Sequence, residues 1–170
     1  MQPMKLYSTS EYRSSKEWPY AVSAGCVVYR MTRGKLEILL LRRAAGHFKN
    51  LQDSRSDTYH LPKGHLHIGK TLEETALRET EEEAGVVVEL ETYLGACTNA
   101  YYDFDMNLEK TIHYFAGRWL KDLPSMDGEH SDKRWVTLGE TKKLLGTKNR
   151  KREDLIVARL KGFLELTHAA

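Results

Sequence analysis

Three glutamates, Glu79, Glu82 and Glu83, are spaced so that a helix would place their carboxylates on one side. A helix turns about 100° per residue, so positions i, i+3 and i+4 share a face. Repulsion within the Glu79 and Glu83 pair alone costs such a helix about 0.2 to 0.5 kcal/mol. A divalent cation that prefers oxygen ligands would remove this repulsion. The simpler alternative is an acidic face turned to solvent.

The residues around these glutamates favour the metal-binding interpretation. Thr71 and Glu74 form the pattern of a capping box, which starts a helix. Gly85 is placed to end the helix in a left-handed conformation. Just before the helix, the segment 62–69 contains two glycines and a lysine, Lys63. Such a loop can bring main-chain groups and a lysine close to phosphates.

The segment from Gly64 to Val86, GHLHIGKTLEETALRETEEEAGV, resembles the signature box of the Nudix hydrolases. That box is a glycine, five residues, a glutamate, seven residues, and then Arg-Glu-aliphatic-x-Glu-Glu-x-Gly-aliphatic. Two fixed positions depart from it. Thr80 stands at the first aliphatic position, and Lys70 stands where the first glutamate belongs. The other fixed positions match.

The resemblance implies a role for each matching residue. Glu82 and Glu83 are expected to bind the divalent metal, Mg²⁺ or Mn²⁺, and Glu79 to bind metal or to accept a proton from the attacking water. Arg78 is expected to orient the carboxylates, and the Gly64 carbonyl to complete the coordination shell. Members of the family hydrolyse nucleoside diphosphates linked to another moiety, or related pyrophosphates. Metal charge serves this reaction because pyrophosphate linkages are anionic and repel nucleophiles.

Two further segments resemble the diadenosine tetraphosphate hydrolase branch of the family: Leu61–His65 (LPKGH) and Glu129–Trp135 (EHSDKRW). They imply a small-molecule pyrophosphate substrate such as a dinucleoside polyphosphate. Hydrolysis of diphosphoinositol polyphosphates is the alternative, because those enzymes share a related architecture. The resemblance makes Glu129 a candidate metal ligand or general base, although it could equally be an exposed loop glutamate.

Four more residues are candidates for substrate binding. Lys63 and His65 lie on the turn expected to face the phosphates, where they could stabilise negative charge in the transition state. Tyr101 and Tyr102 could stack against a purine base. Packing of these two aromatic side chains at the end of a strand is the alternative.

Two other hypotheses follow from single features. Because Lys70 reverses a charge beside the glutamates, the domain could be a non-catalytic Nudix-like module that binds a nucleotide. Basic residues in the segment 142–152 suggest the second hypothesis, an enzyme that acts on RNA 5′ ends. A solvated helix start or loop explains the same residues more simply, so nucleic acid is not the expected partner.

The composition indicates a single globular domain, 19–170, preceded by a polar arm, 1–18. The chain has 170 residues, 41% of them hydrophobic, and a formal net charge of +2. We expect one substantial core and no membrane-spanning segment, and the first residues lack the apolar core of a secretory signal. Cys26 and Cys97 are isolated in apolar stretches, which indicates two buried thiols and a reducing, cytoplasmic setting.

Hydrophobic patterning predicts the order of the elements. Strands are expected at Tyr20–Tyr29, Leu36–Leu41, Val86–Cys97, Thr111–Leu120 and Arg134–Thr137, and helices after the glutamate helix at Leu138–Leu145 and Glu153–His168. The polar stretch 44–58 is either a disordered loop or a wall of the binding cleft, and Trp119 and Trp135 are expected in the core. With the resemblance, this predicts an α/β (α+β) fold, an α/β/α sandwich with a mixed β-sheet between helices.

Overall fold

The computed structural model describes residues 20–43, 58–103, 106–124, 126, 132–145 and 153–168. Within them the chain forms β1 (Tyr20–Thr32), β2 (Lys35–Arg43), β3 (Thr58–His60), β4 (Lys63–His65), α1 (Leu72–Ala84), β5 (Val86–Asp103), β6 (Met106–Asp122), β7 (Asp132–Thr137), α2 (Leu138–Leu145) and α3 (Glu153–His168). Every predicted strand and helix is present. The polar arm, the stretch 44–57, Glu129 and most of the basic segment 142–152 lie outside the described residues.

The described strands form one mixed sheet with β1 at its centre. The order across it is β3-β2-β1-β6-β5, with β4 paired to β1 and β7 to β2. β1 runs parallel to β6, whereas its pairings with β2 and β4 are antiparallel. The turn between β1 and β2 lies between the two predicted strands, Tyr20–Tyr29 and Leu36–Leu41, and Arg33 and Gly34 both have positive φ there, as a type I′ hairpin turn requires.

Alternate residues of β1 belong to two separate cores, one on each face of the sheet. Cys26 and Val28 pack with Ala84 of α1 on one face, and Val27 packs with Leu160 of α3 on the other. Because side chains alternate across a strand, the sheet lies between α1 and the pair α2 and α3. The predicted α/β/α sandwich is therefore confirmed.

The two tryptophans expected in the core lie at the margin of the α1 side. Trp119 and Trp135 are half-buried and meet edge to face, with ring centroids 6.1 Å apart. The guanidinium of Arg30 lies 4.2 Å from the centroid of the Trp135 ring. The prediction for the tryptophans thus holds in part, since they pack against the core but are not enclosed by it.

The structure departs from the predicted elements in two places. The short strands β3 and β4 flank Pro62, where the sequence suggested only a turn. Strands of three residues are too short for a periodic pattern, and these two depend on pairing with β2 and β1. β5 and β6 also extend beyond their predicted ends, so Tyr101 and Tyr102 belong to a long hairpin.

The prediction of two buried thiols is confirmed. Cys26 and Cys97 are both buried and form no disulfide within the described residues, and burial raises the pKa of the Cys26 thiol to about 12. The described helices include none that is both long and apolar enough to cross a bilayer.

Thr80, which occupies an aliphatic position of the box, carries a buried hydroxyl that is only weakly satisfied. Its side chain is fully buried in α1, and within the described residues its Oγ1 has no nitrogen or oxygen partner. The hydroxyl meets the Cys26 thiol, a weak acceptor that itself donates to the Ala76 carbonyl at 3.7 Å. Leaving a buried hydroxyl without a strong hydrogen bond costs about 1 to 3 kcal/mol.

We therefore expect Thr80→Val to stabilise the fold by about 1 kcal/mol. Thermal unfolding should show a melting temperature raised by roughly 2 to 4 °C. Thr75→Val is the matched control, since the equally buried Thr75 hydroxyl donates to the Thr71 carbonyl at 2.9 Å. This control should lose stability, and equal effects of the two substitutions would contradict the prediction.

Candidate metal and catalytic site

The ends of α1 are fixed by the residues that the sequence indicated. Thr71 accepts a hydrogen bond from the Glu74 N–H, and the Glu74 side chain accepts one from the Thr71 N–H, which completes the capping box. Gly85 ends the helix with φ 59° and ψ 43°, and its N–H donates to the Glu81 carbonyl. Both caps were predicted, and together they set where the glutamates of α1 face.

α1 is fastened to β4 by side chains that contact the main chain of that strand. Glu83 Oε2 accepts a hydrogen bond from the Lys63 N–H at 2.8 Å. Arg78 Nη2 donates to the His65 carbonyl at 3.1 Å. Because β4 is paired with the central strand β1, the sheet fixes the position of the turn against which the glutamates pack.

Gly64 lies directly against the Glu79 carboxylate. A Cβ atom at position 64 would overlap the carboxylate carbon and both of its oxygens. Only glycine allows the main chain of β4 to come this close. Gly64 and Glu79, both assigned to the metal site by the resemblance, therefore lie in contact.

Arg78 joins two of the three carboxylates. Its Nη2 lies 2.5 Å from Glu79 Oε1, and its Nη1 lies 2.9 Å from Glu82 Oε2. Since Arg78 also contacts β4, its planar guanidinium can hold both carboxylates in a fixed orientation. This is the orienting position that the resemblance implied.

The three glutamates differ in exposure. Glu79 and Glu83 are each 8% exposed, whereas the Glu82 side chain is 57% exposed. Burial raises the pKa of Glu79, with Arg78 acting in the opposite direction. A carboxylate that has lost its hydration gains from a nearby positive charge.

These donors fit a divalent cation in their chemistry. Mg²⁺ and Mn²⁺ prefer carboxylate and carbonyl oxygens, which Glu79, Glu83 and the main chain of Gly64 provide within one small region. In the described part of the chain, no three His, Cys, Asp or Glu side chains form a group that could hold an ion. Glu82 faces Arg78, so it would have to turn from that contact to join the other two.

Lys70, the reversed charge of the box, pairs with Glu74 at the start of α1. Its Nζ lies 3.5 Å from Glu74 Oε1, and both side chains are more than half exposed. The Thr71 N–H, and then Lys70, lower the pKa of Glu74. The lysine is thus accommodated within the helix cap.

We expect Lys70→Glu to change kcat/KM by less than about fivefold, because the contribution of an exposed ion pair is small. Steady-state hydrolysis at one fixed Mg²⁺ concentration measures this, with Lys70→Met as the uncharged control. An increase of a hundredfold or more in Lys70→Glu would mean that the lysine impairs the site.

The candidate residues fall into three groups. The structure brings seven of them together, two of which, Lys63 and His65, contact the others through main-chain groups: Lys63, Gly64, His65, Arg78, Glu79, Glu82 and Glu83. Tyr101 and Tyr102 lie further along β5, paired with Leu108 and Asn107 of β6, and their side chains are outside the described part. Glu129 also lies outside the described residues.

Two contacts of the site were missed by the sequence. Lys63 reaches Glu83 through its main-chain N–H, whereas the sequence suggested a role only for its side chain. Lys133 contacts the carbonyl of Gly85 at the end of α1. The second contact had a weak signal in the sequence, since Lys133 lies inside the segment Glu129–Trp135.

Known proteins match both the sequence and the fold. A family model of the NUDIX domain matches residues 19–157. The asymmetrical bis(5'-nucleosyl)-tetraphosphatase of Caenorhabditis elegans is 30% identical over 129 residues, 72% of this chain and 83% of that protein. The putative mutator protein MutT4 of Mycobacterium tuberculosis is 35% identical over 81 residues, 47% of this chain and only 33% of that protein's length.

The fold has solved counterparts as well. The crystal structure of C. elegans Ap4A hydrolase has a TM-score of 0.61 at 23% identity, covering 85% of this chain and 98% of that one. A likeness at this identity shows the fold, and the family model adds the sequence relationship over most of the chain. The chain belongs to the Nudix hydrolase family.

Proposed function

We propose that the protein is a divalent-metal-dependent pyrophosphohydrolase that cleaves a phosphoanhydride bond of a dinucleoside polyphosphate or a related nucleoside diphosphate derivative. The observation that carries this proposal is the packing of two buried carboxylates, Glu79 and Glu83, against the main chain of Lys63 and Gly64. Burying two charges on one helix is costly unless a positive charge compensates them.

The residues that would hold the ion are Glu79, Glu82 and Glu83, with the Gly64 carbonyl. When bound, Mg²⁺ or Mn²⁺ supplies positive charge for the phosphate oxygens and lowers the pKa of a coordinated water. Arg78 keeps the Glu79 carboxylate oriented, whereas Glu82 leaves its contact with Arg78 when it joins the ion.

The remaining roles belong to residues around this cluster. Lys63 and His65 flank Gly64 on β4, so their side chains share the sheet face opposite to the one on which Gly64 meets Glu79. From that face they would stabilise charge on phosphates that extend past the edge of β4. The raised pKa of Glu79 suits it to accept a proton from the attacking water. Glu129 is the alternative base, and Tyr101 or Tyr102 could stack a purine.

Support for a dinucleoside polyphosphate as substrate comes from two sources. The segments Leu61–His65 and Glu129–Trp135 resemble the diadenosine tetraphosphate hydrolase branch. The relative matched over 83% of its length is named a bis(5'-nucleosyl)-tetraphosphatase. The buried cysteines Cys26 and Cys97, which form no disulfide within the described residues, support a reducing compartment such as the cytoplasm.

A product screen tests the proposed function. Purified protein is incubated with Mg²⁺, and separately with Mn²⁺, and with diadenosine tetraphosphate, nucleotide sugars or inositol pyrophosphates. We expect hydrolysis of diadenosine tetraphosphate to unequal products, ATP and AMP, and isotopically labelled water would show which phosphorus is attacked. Preference for inositol pyrophosphates would overturn the substrate assignment. Binding without any product at all metal concentrations would overturn catalysis.

A further inference from the structure

The carboxyl end of α1 lies in an unfavourable electrostatic position. Glu81, Glu82 and Glu83 fill its last turn, where the negative end of the helix dipole already disfavours anions. α1 has no basic residue of its own in that turn. A compensating cation must therefore come from another element.

Lys133 of β7 brings such a cation to this end of the helix. Its Nζ lies 3.3 Å from the Gly85 carbonyl, the cap of α1, and 2.9 Å from Asp122 Oδ1. The same carbonyl accepts a hydrogen bond from the Leu123 N–H at 2.8 Å. The Lys133 side chain is only 23% exposed, so solvent screens its charge less than that of a surface lysine.

One ammonium group thus joins three elements: the end of α1, the end of β6 and the start of β7. Lys133 is separated from Gly85 by 48 positions in sequence, and in the sheet β7 pairs with β2 rather than with β6. Glu83, which contacts Lys63, lies two residues before Gly85. A shift of the last turn of α1 would therefore move Glu82 and Glu83 relative to β4.

We propose that Lys133 is a positioning residue of the site, which fixes the last turn of α1 so that Glu83 faces Lys63 and Gly64 of β4. This proposal rests on the proposed function. It means that a residue of β7 controls how tightly the glutamates bind the divalent cation. Lys133 touches neither substrate nor metal. It acts through the Gly85 carbonyl.

The test compares Lys133→Met, which keeps the apolar stem, with Lys133→Arg, which keeps the charge. Lys121→Met is the matched control, because this exposed lysine near the end of β6 carries the same charge. In metal-free protein, hydrogen exchange should become several-fold faster at the Leu123 amide and in the last turn of α1 in Lys133→Met. The first turn of α1 should be unchanged.

The second measurement is the Mn²⁺ affinity of the same proteins, followed by water-proton relaxation without substrate. Loss of a group that orients metal ligands typically weakens affinity by 10- to 100-fold, and we expect about tenfold in Lys133→Met. Lys133→Arg should restore most of the lost Mn²⁺ affinity. In Lys133→Met, the Mg²⁺ concentration that gives half-maximal hydrolysis should rise in parallel with the loss of Mn²⁺ affinity, while KM for diadenosine tetraphosphate stays nearly constant.

Each outcome decides the proposal. Faster exchange with unchanged Mn²⁺ affinity would overturn it, because Lys133 would then be a helix cap alone. Unchanged exchange in Lys133→Met would overturn it as well. If the wild-type protein hydrolyses nothing, the proposed function fails, yet the exchange and Mn²⁺ measurements still test Lys133 independently of turnover.

Discussion

Replacement of Glu83 by glutamine is expected to lower kcat by about three orders of magnitude while the fold stays intact. Glu83 Oε2 accepts the Lys63 N–H at 2.8 Å, and the side-chain carbonyl of glutamine can accept the same bond. The two side chains have nearly the same volume. The substitution therefore removes a charge from the site and little else.

Stability separates this effect from simple unfolding. Glu83 is buried on a helix that already carries several carboxylates, so a neutral side chain relieves repulsion there. The melting temperature of Glu83→Gln should be equal to or higher than that of the wild-type protein. A large loss of activity in a protein of undiminished stability would locate the chemistry at this carboxylate.

Glu81→Gln is the control for charge removal in the same turn. Glu81 is exposed, and its main-chain carbonyl, which is unchanged by the substitution, is the group that contacts Gly85. The initial rates of Glu81→Gln, measured across a range of Mg²⁺ and Mn²⁺ concentrations, should be close to those of the wild-type protein. Equal rates for Glu83→Gln and the wild-type protein would rule out the proposed site.

The sequence was sufficient for the parts of the site that depend on local chemistry. The capping box of Thr71 and Glu74 and the left-handed Gly85 define α1 almost to the residue, because capping depends on side chains within a few positions. The order of the strands along the chain followed from apolar runs in the same way.

The contacts between distant segments could not be predicted in this manner. Glu83 reaches the main-chain N–H of Lys63, and any residue except proline offers that donor. Lys133 reaches Gly85 across 48 positions. Neither contact leaves a periodic signal, because both depend on how β4 and β7 pair with the sheet.

Gly25→Ala is expected to destabilise the fold by about 3 kcal/mol, the upper part of the range for overpacking. A Cβ at position 25 would overlap the Pro62 carbonyl oxygen and lie 2.7 Å from Lys63 Cβ. The Pro62 carbonyl also accepts the Cys26 N–H at 3.2 Å. Because the obstruction is largely main chain, it cannot be relieved by a side-chain rotation, and β4 must move away from β1.

The consequence for activity distinguishes this variant from one that is merely less stable. β4 holds Lys63 against Glu83 and Gly64 against Glu79, so a displaced β4 disturbs the site even in folded protein. At a temperature well below unfolding, we expect kcat/KM to fall at least tenfold, since displacements of about 1 Å cost up to 10²-fold in rate. The melting temperature should fall by roughly 6 to 12 °C.

Gly162→Ala is the control, because the residue lies inside α3 and a Cβ there would meet no atom of another described element within 4 Å. Alanine should stabilise that helix by up to about 1 kcal/mol and leave the rate unchanged. Full activity of Gly25→Ala at low temperature would contradict the inference that β1 positions β4, and with it Lys63 and Gly64, against the glutamates. The position of β4 on Gly25 would then matter for folding alone, and α1 would hold its glutamates in place without the sheet.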